Sequence, residues 1–224
     1  MPEIELITVE VVSAIACFIL VRFMIKPYWV TGESRYLGLP LGFGFLGTSY
    51  AFTALSISGI IDFDYIWWAQ LFFRAFAFLF LLVTYLLSKQ SRNLLWNALL
   101  GLLMIIFAVL IMLTIISPQV LGPNYNVAQV YARIFILICL SYISIHTLKN
   151  HIEKPNPTTL MIPLGFILLA IAQFLQIIWV VDRSPLAFWA GLAVRLGGLA
   201  VFLFVAYRTF YSSEKRGVNE NNPT

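Results

Sequence analysis

The chain has 224 residues, 61% hydrophobic and 11% charged, with a mean hydropathy of +0.90. Soluble domains run about 45–50% apolar and about 25% charged, so this composition exceeds what one soluble core of that size can bury and makes lipid the expected solvent. The net charge of +4 is not read as a nucleic-acid signal, because the basic residues fall in short clusters between apolar runs, where topology determinants belong.

From the N-terminus, Met1 to Glu5 is acidic rather than basic, so no cleavable signal peptide is expected and the first apolar run reads as a retained helix. Seven stretches follow that are long enough to span a hydrocarbon core: Ile4–Phe23, Tyr36–Ile61, Ile66–Leu87, Leu94–Ile116, Val127–Leu148, Thr159–Val181 and Leu186–Phe210. A helical span needs about 20 residues. The runs are too long and too continuously apolar for the alternation of a membrane barrel. The expected fold is therefore all-α, a seven-helix transmembrane bundle over residues 1–211. Lys26 and Pro27, Pro118 and Pro123, Pro155 and Pro157, and Pro185 punctuate short connections. Residues 212–224, polar and rich in Asn, read as a short disordered cytoplasmic tail. Cys17 and Cys139 lie inside apolar runs and suggest no disulfide.

Charge sets the expected orientation. Arg22, Lys26 and Arg35 follow the first span, Lys89 and Arg92 the third, and Lys149 and Lys154 the fifth. Arg208, Lys215 and Arg216 follow the seventh. The alternate side carries Arg183 beside Asp182, with Asp62 and Asp64 in an earlier loop. The positive-inside rule then puts the N-terminus outside and the C-terminus in the cytoplasm of a multi-pass cell-membrane protein. Trp67, Trp68 and Trp189 at outer ends, with Tyr28 and Trp29 at an inner one, suit interfacial aromatic belts in contact with membrane lipid.

Self-comparison suggests an internal repeat. The third span reads Ala69-Gln70-Leu71 before Arg74, the fifth Ala128-Gln129-Val130 before Arg133, and the seventh Ala190-Gly191-Leu192 before Arg195. Pro40-Leu41-Gly42-Phe43 in the second span matches Pro163-Leu164-Gly165-Phe166 in the sixth, and Leu99-Leu100-Gly101-Leu102 takes the corresponding place in the fourth. The expected layout is one helix followed by three repeated helical hairpins.

An arginine at the centre of a span costs about 2.5–3.5 kcal/mol on insertion scales. Arg74, Arg133 and Arg195 share a similar depth, roughly 13 Å from the outer end at 1.5 Å per helical residue. Gln70 and Gln129 stand four residues earlier, on the same helix faces as their arginines. Gln173, Gln176, Thr53 and Ser56 lie in the outer half of neighbouring spans, and Glu10 is the acid well inside the first span. One carboxylate cannot neutralise three guanidinium groups, so the cluster should attract an anionic group. The expected ligand-binding set is Arg74, Arg133, Arg195, Gln70, Gln129, Glu10, Gln173 and Gln176. Two other readings stay open: a purely structural brace, and arginines that snorkel to lipid phosphates.

No lysine lies mid-span, which excludes a retinal Schiff base; His146 and His151 lie at or beyond one helix end, which argues against haem or a buried metal. Without a nucleophile or metal set, no enzyme activity and no cofactor are expected. The layout of one span and three hairpins resembles the heptahelical sensor modules of prokaryotic signalling proteins. That resemblance implies a ligand-sensing membrane domain. No kinase, cyclase or coiled-coil output follows Phe210, so signalling would pass through a separate partner. The functions in view are a receptor or binding protein for a small anionic or polar ligand, a small-solute transporter or channel, and an accessory subunit of a membrane complex.

Overall fold

The computed structural model describes residues 2–60, 66–87, 93–116, 125–153, 155 and 157–220. Asp62, Asp64, Lys89, Arg92, Pro118, Pro123 and Lys154, read above as loop residues, lie outside them. The described residues are helical and contain no strand. The helices among the described residues are α1 (Pro2–Met24), α2 (Lys26–Thr31), α3 (Gly38–Ile57), α4 (Ile66–Leu87), α5 (Asn93–Ile116), α6 (Tyr125–Glu153), α7 (Pro157–Asp182) and α8 (Pro185–Glu220), with a 3-10 turn, Ser34–Leu37, before α3.

By length and composition, six helices among the described residues could cross a membrane: the α1–α2 stretch, α4, α5, α6, α7 and α8. A multi-pass membrane protein follows as the natural reading. The second expected span, α3, is long enough but falls short on hydropathy. Gly38, Gly42, Gly44 and Gly47 dilute it, as do Thr48, Ser49, Thr53 and Ser56. It is nonetheless well buried, because its small residues let neighbours approach. A Cβ at Gly47 would come 3.0 Å from that of Cys17 in α1, and one at Gly42 would come 2.6 Å from Leu81 Cγ in α4.

Helix neighbours set the architecture. α1 packs on α3, α3 on α4, α4 on α6, α6 on α7, α7 on α8, and α8 back on α1, which closes a ring of six. α5 stands outside, against α4 and the 3-10 turn. Only 11% of its most apolar window is buried, and Leu102, Ile105, Val109, Met112 and Ile116 face outward. This differs from the expected arrangement of three alike hairpins. α3–α4 and α7–α8 are tightly packed pairs, whereas α5 does not form one with α6. The matched tetrapeptides explain the difference. Gly42 of α3 abuts Leu81, and Gly165 of α7 abuts the ring of Phe202, with a Cβ there only 2.7 Å away. Leu81 and Phe202 each stand seven residues past their arginines, Arg74 and Arg195. Gly101 of α5 meets nothing within 4 Å.

Two further departures concern helix ends. The chain turns at Ile25 into the short α2, with Pro27 in its first turn and Gly32 closing it at φ 67°, its N–H donating to the Tyr28 carbonyl at 2.8 Å. The tail expected to be disordered continues α8 as helix to Glu220. Extending an existing helix requires no new nucleus, and Ser, Glu, Lys and Arg tolerate helix well enough to follow it. Residues 221–224 lie outside the described residues.

Inside the ring, toward the end where α1 finishes, large apolar side chains pack together. Phe43, Phe166, Leu46 and Leu20 are wholly buried. Phe202 meets Phe43 and Phe166 edge-on, with centroids 5.4 and 4.7 Å apart. The other end of the ring is different.

Candidate functional site

A cavity of about 250 Å³ opens within the ring at the end where α1, α4, α6 and α8 begin and α3 and α7 finish. All six ring helices contribute to its wall. Helical spacing explains how: residues three or four apart share a face. Thus α4 presents Gln70 with Arg74, α6 presents Gln129 with Arg133, and α8 presents Leu192 with Arg195. Glu10 projects from α1, Thr53 from α3 and Gln176 from α7.

The three arginines are held differently. Arg195 Nη2 donates to Glu10 Oε1 at 2.9 Å, and both side chains are buried. The Arg195 guanidinium also sits 4.4 Å over the centroid of the Tyr50 ring, within cation–π range. Arg74 approaches the same ring at 5.4 Å. One buried phenol therefore carries two cations, which the negative face of its π system accommodates. Arg133 Nη1 donates to Gln176 Oε1 at 2.9 Å. Gln70 is steadied from α3: its backbone carbonyl accepts from the Ser49 hydroxyl at 3.2 Å, and Thr53 Oγ1 stands 3.4 Å from its Oε1. Where α4 and α6 carry a glutamine four residues before their arginines, α8 has Gly191. A Cβ there would come 3.3 Å from Gln176 Cγ, so the small residue leaves space for the glutamine that braces Arg133.

Of the eight residues expected at the site, seven line this cavity. Gln173 does not. It is buried, but about one helical turn before Gln176 on α7, deeper than the wall. Glu10 pairs with one arginine, as the charge count suggests it should.

The sequence reading missed the aromatic component. Trp67, Tyr125, Trp179 and Phe188 form a collar above the arginines. Trp67 was assigned to the interfacial belt; it is exposed, yet it also faces the cavity. Tyr50, beneath the arginines, went unremarked. The available signal was a phenol near the middle of a span, where its hydroxyl needs a partner.

Comparison with family models, with curated proteins and with solved structures finds no match. What the site can do therefore rests on its own groups. Among the residues lining the chamber, the unpaired buried donors are Nε of Arg74, Arg133 and Arg195 and Nε2 of Gln70; the Tyr50 hydroxyl beneath them, and Gln173 Oε1 one turn deeper on α7, are also without a partner. Against them stands Glu10 Oε2, whose carboxylate is already engaged through its other oxygen. Buried polar groups are normally satisfied, and an unmade hydrogen bond costs about 1–3 kcal/mol. The chamber is thus a donor-rich, cationic recess with an aromatic throat.

Proposed function

We propose that this protein is an integral-membrane receptor or binding protein that takes a small anionic ligand into an outward-facing pocket of a heptahelical domain. The observation that carries the reading is the four unpaired donors that line the cavity around three guanidinium groups, against one carboxylate that already holds Arg195 through Oε1. A carboxylate or phosphate supplies the acceptors this chamber lacks. Arg74 and Arg133 are the residues expected to hold it, because Arg195 is committed to Glu10 and Tyr50. No catalytic role is assigned to any of them.

The filled aromatic interior beyond Tyr50 favours a binding protein over a transporter. A solute passing through would have to part the wholly buried rings of Phe43 and Phe166. Binding at one face suits a sensor that signals through a separate membrane partner. The matched glycine contacts of α3–α4 and α7–α8 further support a duplicated hairpin as the unit that brings two of the arginines to one level.

The test is thermal unfolding in detergent with inorganic phosphate, sulfate, acetate and benzoate. At least one anion is expected to raise the midpoint of the unaltered protein. Arg74→Gln and Arg133→Gln should each weaken that anion by about tenfold or more, since hydrogen bonds to charged groups are worth ~1.5–3 kcal/mol. If no anion raises the midpoint, the chamber is a structural brace.

Orientation is tested separately. Ser58 caps α3 at the cavity end, and Thr31 ends α2 at the opposite end; both are exposed. Cys17 and Cys139 are buried, so background labelling is low. In intact cells a membrane-impermeant maleimide is expected to label S58C and spare T31C. The reverse pattern would turn the pocket toward the cytoplasm.

A further inference from the structure

A second cavity, of about 270 Å³, adjoins the first. The two share Trp67, Tyr125, Gln129 and Trp179, so the aromatic collar of the inner chamber is also the floor of an outer one. The outer chamber adds Asn126, Val180 and Arg183. Arg183 is thus a fourth guanidinium, beyond the collar rather than below it. Its neighbour Asp182 does not line the chamber.

The backbone at Arg183 is unusual. It closes α7 in the left-handed region at φ 54°, with its N–H donating to the Trp179 carbonyl at 2.9 Å. Glycine or asparagine is the ordinary occupant of such a helix cap. Here an arginine takes it, and the cap turns its guanidinium back to 5.9 Å over the Trp179 ring, at the cavity wall.

We propose that the two cavities form one bipartite site for an elongated ligand with an acidic group at each end and a flat apolar middle, of the aromatic dicarboxylate class. One carboxylate enters the inner chamber at Arg74 and Arg133. The planar middle lies in the collar between Trp67, Tyr125 and Trp179. The second carboxylate meets Arg183 and Asn126. This rests on the anion-binding reading of the inner chamber and extends it to ligand class. The chemistry on each side is specific: cations at both ends suit two anionic groups, and aromatic walls between them suit a flat hydrocarbon rather than a hydrated chain. A monoanion held in the inner chamber would not reach Arg183, which is exposed.

Isothermal titration of the full chain in nanodiscs tests it, with benzoate, terephthalate, biphenyl-4,4′-dicarboxylate and succinate as probes. At least one aromatic dicarboxylate is expected to bind about tenfold or more tightly than benzoate, and succinate more weakly than either, one charged hydrogen bond being worth about that factor. Arg183→Gln should erase the advantage of the dicarboxylate and leave benzoate unchanged. Arg183→Gly is the control for folding. It suits the positive φ, so thermal stability should hold or rise while the dicarboxylate preference is lost. If benzoate and the aromatic dicarboxylates bind alike, and neither Arg183 variant alters them, the outer subsite is overturned while the inner anion site stands. If no probe binds at all, both are overturned together.

Discussion

Arg195→Met is expected to destabilise the fold by about 3–5 kcal/mol, because it leaves the Glu10 carboxylate buried without its counter-ion. The side chains of Arg195 and Glu10 are only 7% and 4% exposed, so water does little to screen the loss. The change also removes the cation from the face of Tyr50. Glu10→Gln should be milder, because a neutral amide can still accept from the guanidinium. The Glu10→Met, Arg195→Met double variant should recover much of the stability, because removing both members of a buried pair is often close to neutral. Chemical or thermal unfolding of the unaltered protein, Arg195→Met, Glu10→Met and the double variant closes the cycle. A double variant as unstable as the single arginine replacement would mean that Arg195 acts through Tyr50 and the cavity wall instead of through Glu10.

The second large effect comes from glycine. Gly42→Ala and Gly165→Ala should each destabilise by about 1–3 kcal/mol, the usual range for overpacking a close-fitted interface. The added carbon would press within 2.6 Å of Leu81 and 2.7 Å of the Phe202 ring. Gly101→Ala should do the opposite. Nothing lies within 4 Å of it, so relief of glycine's poor helix propensity is expected to add up to about 1 kcal/mol. Midpoints from the three variants give the comparison directly. Equal destabilisation at all three positions would mean that α5 is packed as closely as α3 and α7.

Much of this architecture can be read from residue spacing alone. Helix limits such as Ile66–Leu87 follow from runs of apolar residues between polar breaks. The polar site follows too, because an arginine within a span is expensive and its companions must lie at the same depth. Gln70 and Gln129 were legible through their four-residue offset from Arg74 and Arg133. Other features depend on which helices become neighbours, which local pattern does not encode. α5 is more apolar than the other candidate spans among the described residues, but apolarity alone does not say which helices become neighbours; its place outside the ring shows in its exposed side chains and in the open space at Gly101. Tyr50, Trp179 and Phe188 look like many other aromatic residues in spans. Their meaning comes from convergence on one cavity. Gln173 misled for the converse reason: it shares a helix face with Gln176, but lies about one turn deeper on α7 and so falls below the wall.

The link between Glu10 and Arg195 joins helices at opposite ends of the ring's sequence, 185 residues apart. At synthesis rates of about 5–20 residues per second, the acid in α1 waits roughly 10–40 s for its partner to be made. During that interval the nascent chain holds a carboxylate in lipid with no counter-ion, and α1 has not yet met α8. Ring closure therefore cannot precede the synthesis of α8, and a chain that ends before Arg195 keeps Glu10 without its counter-ion.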